Sequence, residues 1–261
     1  MTKTILITGA TDGIGLETAK MLAANGHQVL VHGRSPAKLD ATLELLNDNA
    51  EGYLADLSNL SEVEALAAAV MAKHDTLDVL INNAGVLKTP NTTTELGIDV
   101  RFVVNTIAPY LLTKRLMPVL GKGARIVNLS SAAQAPVDLN ALSGQSQFDD
   151  DMTAYAQSKL AITQWTRALS DMDPLIVSVN PGSLLGSKMV KEGFGMEGKD
   201  IGIGADILVR ASLSDAFLGH AGEYFDNDLG HFAPPHADAL NDAKCQEIVA
   251  ALETILKEVA A

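Results

Sequence analysis

Along this chain, short runs of β-branched and aliphatic residues alternate with longer stretches in which apolar positions recur every three or four residues. The first rhythm suits buried strands and the second amphipathic helices. Strands are predicted at Thr4–Thr8, Gln28–His32, Gly52–Asp56, Leu77–Ile81, Arg125–Leu129, Leu175–Val179 and Gly222–Asp226. Several are apolar at successive positions, as in Val29-Leu30-Val31 and Val79-Leu80-Ile81, which is the pattern of strands covered on both faces. Helices are expected to begin near Gly13, Pro36, Asn59, Glu95, Thr153 and Ile201, with a last one over Ala237–Val259. Ser35-Pro36 reads as a cap followed by a first helical turn. The alternation specifies βαβ units, and right-handed crossovers arrange these as an α/β, doubly wound parallel β-sheet of about seven strands with helices on both faces. Ligands of such sheets lie at the carboxyl ends of the strands. No repeat, linker or low-complexity tract interrupts the pattern, so residues 1–261 read as a single domain.

Two segments break the rhythm. Residues from Ala132 to Met152 carry Pro136, Gly144 and the acid cluster Asp149-Asp150-Asp151. Residues from Gly182 to Lys199 carry five glycines and the apolar residues Leu184, Leu185, Met189, Val190, Phe194 and Met196. Long loops in a compact domain are more often functional than idle. The second one follows a strand's carboxyl end, so its apolar residues are expected to form a mobile cover over a substrate, or else to pack on the domain's helices or a neighbouring subunit.

Composition narrows the classes of function. An apolar fraction of 47% with 20% charged residues supports a large core. The net charge of −13 argues against a nucleic-acid or anionic-membrane partner. No apolar run approaches the ~18 residues of a membrane span. Met1-Thr2-Lys3 leads directly into strand-like sequence, which leaves no room for a signal peptide, and the single cysteine, Cys245, forms no intrachain disulfide. A soluble cytoplasmic protein is expected. The six histidines are scattered and form no HExxH or similar pattern, so no metal site is expected.

The first strand runs into Thr8-Gly9-Ala10-Thr11-Asp12-Gly13-Ile14-Gly15. Glycines at that spacing let the chain turn tightly and let its backbone approach a pyrophosphate at the positive end of the following helix. Further along, Tyr155 and Lys159 stand four residues apart and therefore on one helix face, where a cation favours phenolate over phenol.

With Asn82-Asn83-Ala84-Gly85, Ile126 to Ser131 and Pro181-Gly182 in the same order on the same elements, the sequence resembles the short-chain dehydrogenase/reductase family over essentially its whole length. That resemblance implies a Rossmann-type fold and an NAD(P)-dependent oxidoreductase interconverting a carbonyl and an alcohol. The substrate would be a small, apolar molecule, and the protein a homodimer or homotetramer. It implies Tyr155 as general acid/base, Lys159 as the residue that lowers its pKa and holds the nicotinamide ribose, and Ser131 as the hydrogen-bond donor to the substrate oxygen, with Ser130 facing elsewhere.

Asn105 matches the asparagine that anchors a proton-relay water, or serves only to bond the core backbone. The cofactor would lie along Gly9, Thr11, Asp12, Gly13, Ile14 and Gly15, then Asn83, Ala84, Gly85, Pro181 and Gly182. Asp56 and Leu57 match the adenine-contacting pair, though Asp56 reads equally as a helix cap. Asn82 matches a residue that steadies the sheet. The 24-residue spacing from Ser131 to Tyr155, with Gly222-Glu223-Tyr224-Phe225-Asp226, resembles the retinol-dehydrogenase-like branch. A silent nucleotide-sensing regulator and a nucleotide-sugar epimerase are the rival readings. The first would be expected to lose one of the three catalytic residues, and the second to carry a longer carboxyl-terminal substrate domain.

NADP(H) is expected over NAD(H). The second strand ends His32-Gly33-Arg34 with no carboxylate for a ribose 2′-hydroxyl. Gly33 would leave space for a 2′-phosphate and Arg34 would supply paired donors. Asp12 counts against this if it points inward, and not if it caps the helix.

Overall fold

A computed structural model describes residues 1–46 and 49–259, with the side chains of Glu192 and Phe194 also left out. Eight strands form one sheet: β1 (Thr4–Ile7), β2 (Gln28–Gly33), β3 (Ala50–Leu54), β4 (Val79–Asn82), β5 (Arg125–Leu129), β6 (Leu175–Asn180), β7 (Tyr224–Asp226) and β8 (His231–Phe232). Their order is β3-β2-β1-β4-β5-β6-β7-β8. All neighbours are parallel except β7 and β8. The sheet of about seven strands is extended by a short eighth: two residues are too few to show an alternation, and only pairing with β7 makes them a strand. β3 runs two residues earlier than expected, because its register against β2 pairs Val29 with Ala50 and Gly33 with Leu54.

Successive side chains of a strand point to opposite faces, so the apolar runs feed two cores. Leu6, Leu30, Leu80, Ile126 and Ile176 face one side, and Ile5, Ile7, Val79, Val127 and Val177 the other. The first core is closed by α3 (Leu60–Lys73), α5 (Ala108–Leu116), α7 (Asp151–Ala168) and α10 (Asp242–Val259). The second is closed by α1 (Gly13–Ala24), α2 (Pro36–Leu46) and α9 (Gly202–Leu213). Shorter helices are α4 (Val100–Phe102), α6 (Leu139–Leu142) and α8 (Lys188–Phe194). A π-helical turn, Val103–Ile107, joins α4 to α5. No described helix is long and apolar enough to cross a membrane.

Helix ends follow local chemistry more than periodicity. The helix expected near Glu95 starts at Val100, since a turn at Thr94–Gly97, with Gly97 at φ 74°, precedes Asp99, whose carboxylate caps Arg101 N–H. The acid cluster has the same explanation. Asp150 accepts from the N–H groups of Met152 and Thr153 as the cap of α7, and Asp151 pairs with the buried Arg101. The last helix is preceded by a separate 3-10 turn, Ala237–Leu240.

Candidate active site

The strand order reverses between β1 and β4, and at their carboxyl ends lies a cleft of about 540 Å³, within the size range of small-molecule sites. The backbone that shapes it is clamped by two asparagines. Asn83 Nδ2 donates to the carbonyls of Thr8 (2.8 Å) and Gly9 (3.0 Å), while the Asn83 and Ala84 N–H groups donate to Thr8 Oγ1. Asn82 Nδ2 donates to Asn128 Oδ1 (2.8 Å) and Thr113, and Asn128 Nδ2 to Thr166 (2.8 Å), which ties β4 and β5 to α5 and α7. Gly15 is required at the turn, since a Cβ would stand 2.4 Å from both Asn83 Nδ2 and Gly9 O.

The turn from Gly9 to Gly15, Arg34, Asp56-Leu57, Asn83 to Gly85, Tyr155 with Lys159, and Pro181 all reach the cleft wall. Ser131, Asn105 and Gly182 stand off it, and each is held nearby. Burial pushes the Tyr155 phenol up, and the neighbouring Ser131 side chain partly opposes this. Lys159 is 4% exposed and burial holds its ammonium down at about 8. Its Nζ donates to Leu129 O at 2.7 Å and lies 5.7 Å from the Tyr155 ring centre. Ser130 Oγ is bonded to Thr163 Oγ1 (2.6 Å) and the Lys159 carbonyl, and it is Ser130 rather than Ser131 that reaches the cleft wall.

Asn105, in the π-helical turn, spends its side chain on protein: Oδ1 accepts from Val86 N–H (2.8 Å), and Nδ2 donates to Val86 O (3.0 Å) and Ser158 Oγ (2.9 Å). Asp56 accepts from the Ser58 N–H and hydroxyl, a turn contact beside its place on the cleft wall.

Two residues the sequence reading missed hold the serine. Gln134 Nε2 donates to Ser131 O (3.0 Å) while its Oε1 accepts from His236 N–H (2.9 Å), and Tyr224 OH donates to the same Ser131 carbonyl (3.2 Å). Gln134 lies only three residues beyond Ser131, but its own anchor at His236 is 102 residues away and Tyr224 is 93 residues from the serine, separations that carry no motif. Lys38 was also missed. It reaches from α2 to Asp12 (2.5 Å), whose carboxyl it holds below the ordinary range, while Asp12 Oδ1 accepts from Gly13 N–H. Asp12 therefore caps α1 and carries a paired charge.

Gly33 is held close to the glycine-rich turn. A Cβ there would come within 2.4 Å of Thr11 Cγ2, so Thr11 packs against this end of β2 and a side chain in place of Gly33 would have to displace it. The loop after β6 divides. Leu185 is buried, packed near Gly204 of α9 and Ile14, whereas Met189 lines the cleft and Leu184 and Met196 are exposed. Val190 is half-buried, and the Phe194 side chain lies outside the described residues.

Human retinol dehydrogenase 13 is 38% identical over 177 residues, which are 64% of this chain and 54% of that protein, so the chain spans about half the length of that curated relative. A 3-ketoacyl-(acyl-carrier-protein) reductase from Brucella melitensis, complexed with NADH, superposes with a TM-score of 0.66 at 24% identity, covering 86% of this chain and 96% of that one. The NADPH-bound carbonyl reductase from chicken fatty liver does so with 0.68 at 24%, covering 89% and 98%. At these identities the two structures speak for the fold alone. A family profile described as "short chain dehydrogenase" matches residues 3–194. Because that stretch is well over half of the sequence and takes in every motif on the cleft wall, the chain belongs to the short chain dehydrogenase family.

Proposed function

We propose that the protein is an NAD(P)-dependent oxidoreductase that interconverts an alcohol and a carbonyl. The observation that carries this is the placement of Tyr155 and Lys159 together on the wall of a dinucleotide-sized cleft, with Ser131 beside the Tyr155 phenol. Lys159 also fits the cofactor: an ammonium has three N–H donors, and among the described residues only Leu129 O takes one, which leaves two for ribose hydroxyls. A bound nicotinamide supplies or takes the hydride.

For reduction, Tyr155 gives its phenolic proton to the carbonyl oxygen while Ser131 donates a second hydrogen bond to it. The raised pKa of Tyr155 keeps that proton in place at neutral pH. For oxidation, the Lys159 charge stabilises the phenolate that accepts the alcohol proton. Asn105 acts as a positioning residue, fixing Val86 and Ser158.

NADP(H) is the preferred cofactor in this reading. Arg34 and Lys38 stand on the cleft wall where β2 ends, and the charge of Asp12 is neutralised by Lys38. A 2′-phosphate gains charge-assisted bonds there and meets no unpaired carboxylate from β2. Val86, Leu87 and Met189 on the same wall, with the similarity to retinol dehydrogenase 13, support an apolar substrate and the retinol-dehydrogenase-like branch. A panel of aldehydes, ketones and alcohols, followed by nicotinamide absorbance with both cofactors, tests the proposal. Tyr155→Phe should cut turnover by at least ~10² with cofactor binding retained. Near-normal turnover by that variant defeats the assignment.

A further inference from the structure

His32 lies one residue before the end of β2 and is only 3% exposed. Both of its ring nitrogens have main-chain partners. The Gly9 N–H donates to Nδ1 at 3.1 Å, and Nε2 lies 3.0 Å from the Ala55 carbonyl oxygen. A carbonyl only accepts and an N–H only donates, so the pair of contacts selects one tautomer, with the proton on Nε2 and the lone pair on Nδ1. The ring thereby joins the start of the glycine-rich turn to the segment that follows β3, and Gly9, His32 and Ala55 all lie on the cleft wall. Main-chain bonds reinforce the same junction: Ala10 N–H donates to His32 O and Ala55 N–H to Gly33 O.

We propose that His32 is a positioning residue for the dinucleotide, a neutral imidazole that keeps the pyrophosphate turn and the Ala55–Leu57 segment in register and lets go of the turn when it is protonated. The inference rests on the reading of the cleft as a dinucleotide site. A proton on Nδ1 would face the Gly9 N–H donor to donor, and that repulsion moves the glycine-rich turn whose backbone should meet the pyrophosphate. The surroundings oppose the charged ring. Burial holds the imidazole below its ordinary 6.5, partly offset by the Ala55 carbonyl and by Asp56.

Asp56, after β3, already accepts from Ser58, and its N–H donates to Glu62 of α3. On the other sides of the cleft, Asp12 of the turn is held by Lys38 of α2, and Arg34 follows Gly33 on the chain. The sign follows from these contacts. Dinucleotide affinity is flat where His32 is neutral, and it falls as pH drops through and below the His32 pKa, approaching tenfold per pH unit.

The test is calorimetric binding of NAD⁺ from about pH 8 downward through the His32 transition, which burial places below the ordinary histidine range and which ring-nitrogen NMR locates. NAD⁺ lacks the 2′-phosphate that would titrate in the same window, and its diphosphate stays ionised throughout. Wild-type affinity should fall with acid as stated. His32→Asn, which retains a polar group but not the titration, should bind about tenfold more weakly at pH 8, the size expected for a lost hydrogen bond, with no acid-dependent loss. Assigned ring-nitrogen NMR of the wild type should show the Nε2–H tautomer at pH 8, and this readout stands even if the variant fails to fold. Tight binding with a flat profile, an unchanged slope in His32→Asn, or an Nδ1–H tautomer overturns the role of His32 while leaving the dinucleotide site intact. Absence of binding by both NAD⁺ and NADP⁺ at pH 8 overturns the dinucleotide reading, and this inference with it.

Discussion

Lys159 sits almost wholly buried on α7 with, among the described residues, the Leu129 carbonyl as the hydrogen-bond partner of its ammonium, and the energetic consequence can be measured by replacing it with methionine. Methionine keeps an unbranched stem and a similar helix propensity, so the change removes the ammonium and little else. A pKa lowered from 10.5 to about 8 corresponds to a folded state that disfavours the charged form by about 3 kcal/mol, at about 1.4 kcal/mol per pH unit. Deleting the charge removes that penalty but leaves Leu129 O unpaired, which costs about 1 kcal/mol. The net expectation at pH 7 is a variant about 2 kcal/mol more stable than the wild type and without useful turnover.

The sign with pH follows from linkage. Between pH 8 and pH 10.5 the unfolded chain binds the proton that the folded chain releases, so wild-type stability rises over that window. Near pH 10.5 the penalty has gone and only the lost hydrogen bond remains, so the order of stabilities reverses. Urea denaturation followed by circular dichroism at both pH values measures this. A variant that is less stable at pH 7, or a difference that does not change with pH, would refute the account of Lys159 as a charge held against its solvation.

Arg34→Ala should lower kcat/KM with NADP(H) by about tenfold or more and leave NAD(H) nearly untouched, the size expected for charge-assisted bonds; equal losses with both cofactors would remove the basis for the preference. Gln134→Ala should lower kcat by about tenfold with little change in cofactor affinity, because it frees the Ser131 carbonyl on one side. A parallel rise in cofactor Kd would mark Gln134 as merely structural. Tyr224→Phe should do less, since Gln134 still holds the same oxygen. Hydrogen exchange should show residues 187–196 gaining protection when cofactor and substrate bind, while the buried Leu185 is protected beforehand; a segment fully protected in the free protein contradicts a mobile cover.

The parallel sheet was legible because each strand's apolar run is long enough to stand out and each helix repeats at its own period. The strand His231–Phe232 was not, since two residues have no period and their pairing is decided by β7. The same division holds at the site. Tyr155, Lys159 and the glycine-rich turn are local spacings, and they meet in the cleft as their order on the chain implies. Tyr224 reaches Ser131, and His236 reaches Gln134, across about a hundred residues, where no spacing rule applies. Gly33 shows the same limit: the glycine is plain in the sequence, but only the structure shows that Thr11 packs where a Cβ would stand.

Trp165 is the chain's one tryptophan, fully buried, edge-on to Tyr110 with ring centres 5.5 Å apart, and among the described residues its indole N–H has no partner. It shares α7 with Tyr155, ten residues further along and so about 15 Å down the axis. The protein therefore carries a built-in optical probe. Emission from a single indole in an apolar setting reports loss of the core without interference from other sites, and a reduced nicotinamide arriving at the catalytic end of the same helix would drain that emission by energy transfer. Folding and cofactor occupancy can then be followed from one unlabelled chromophore.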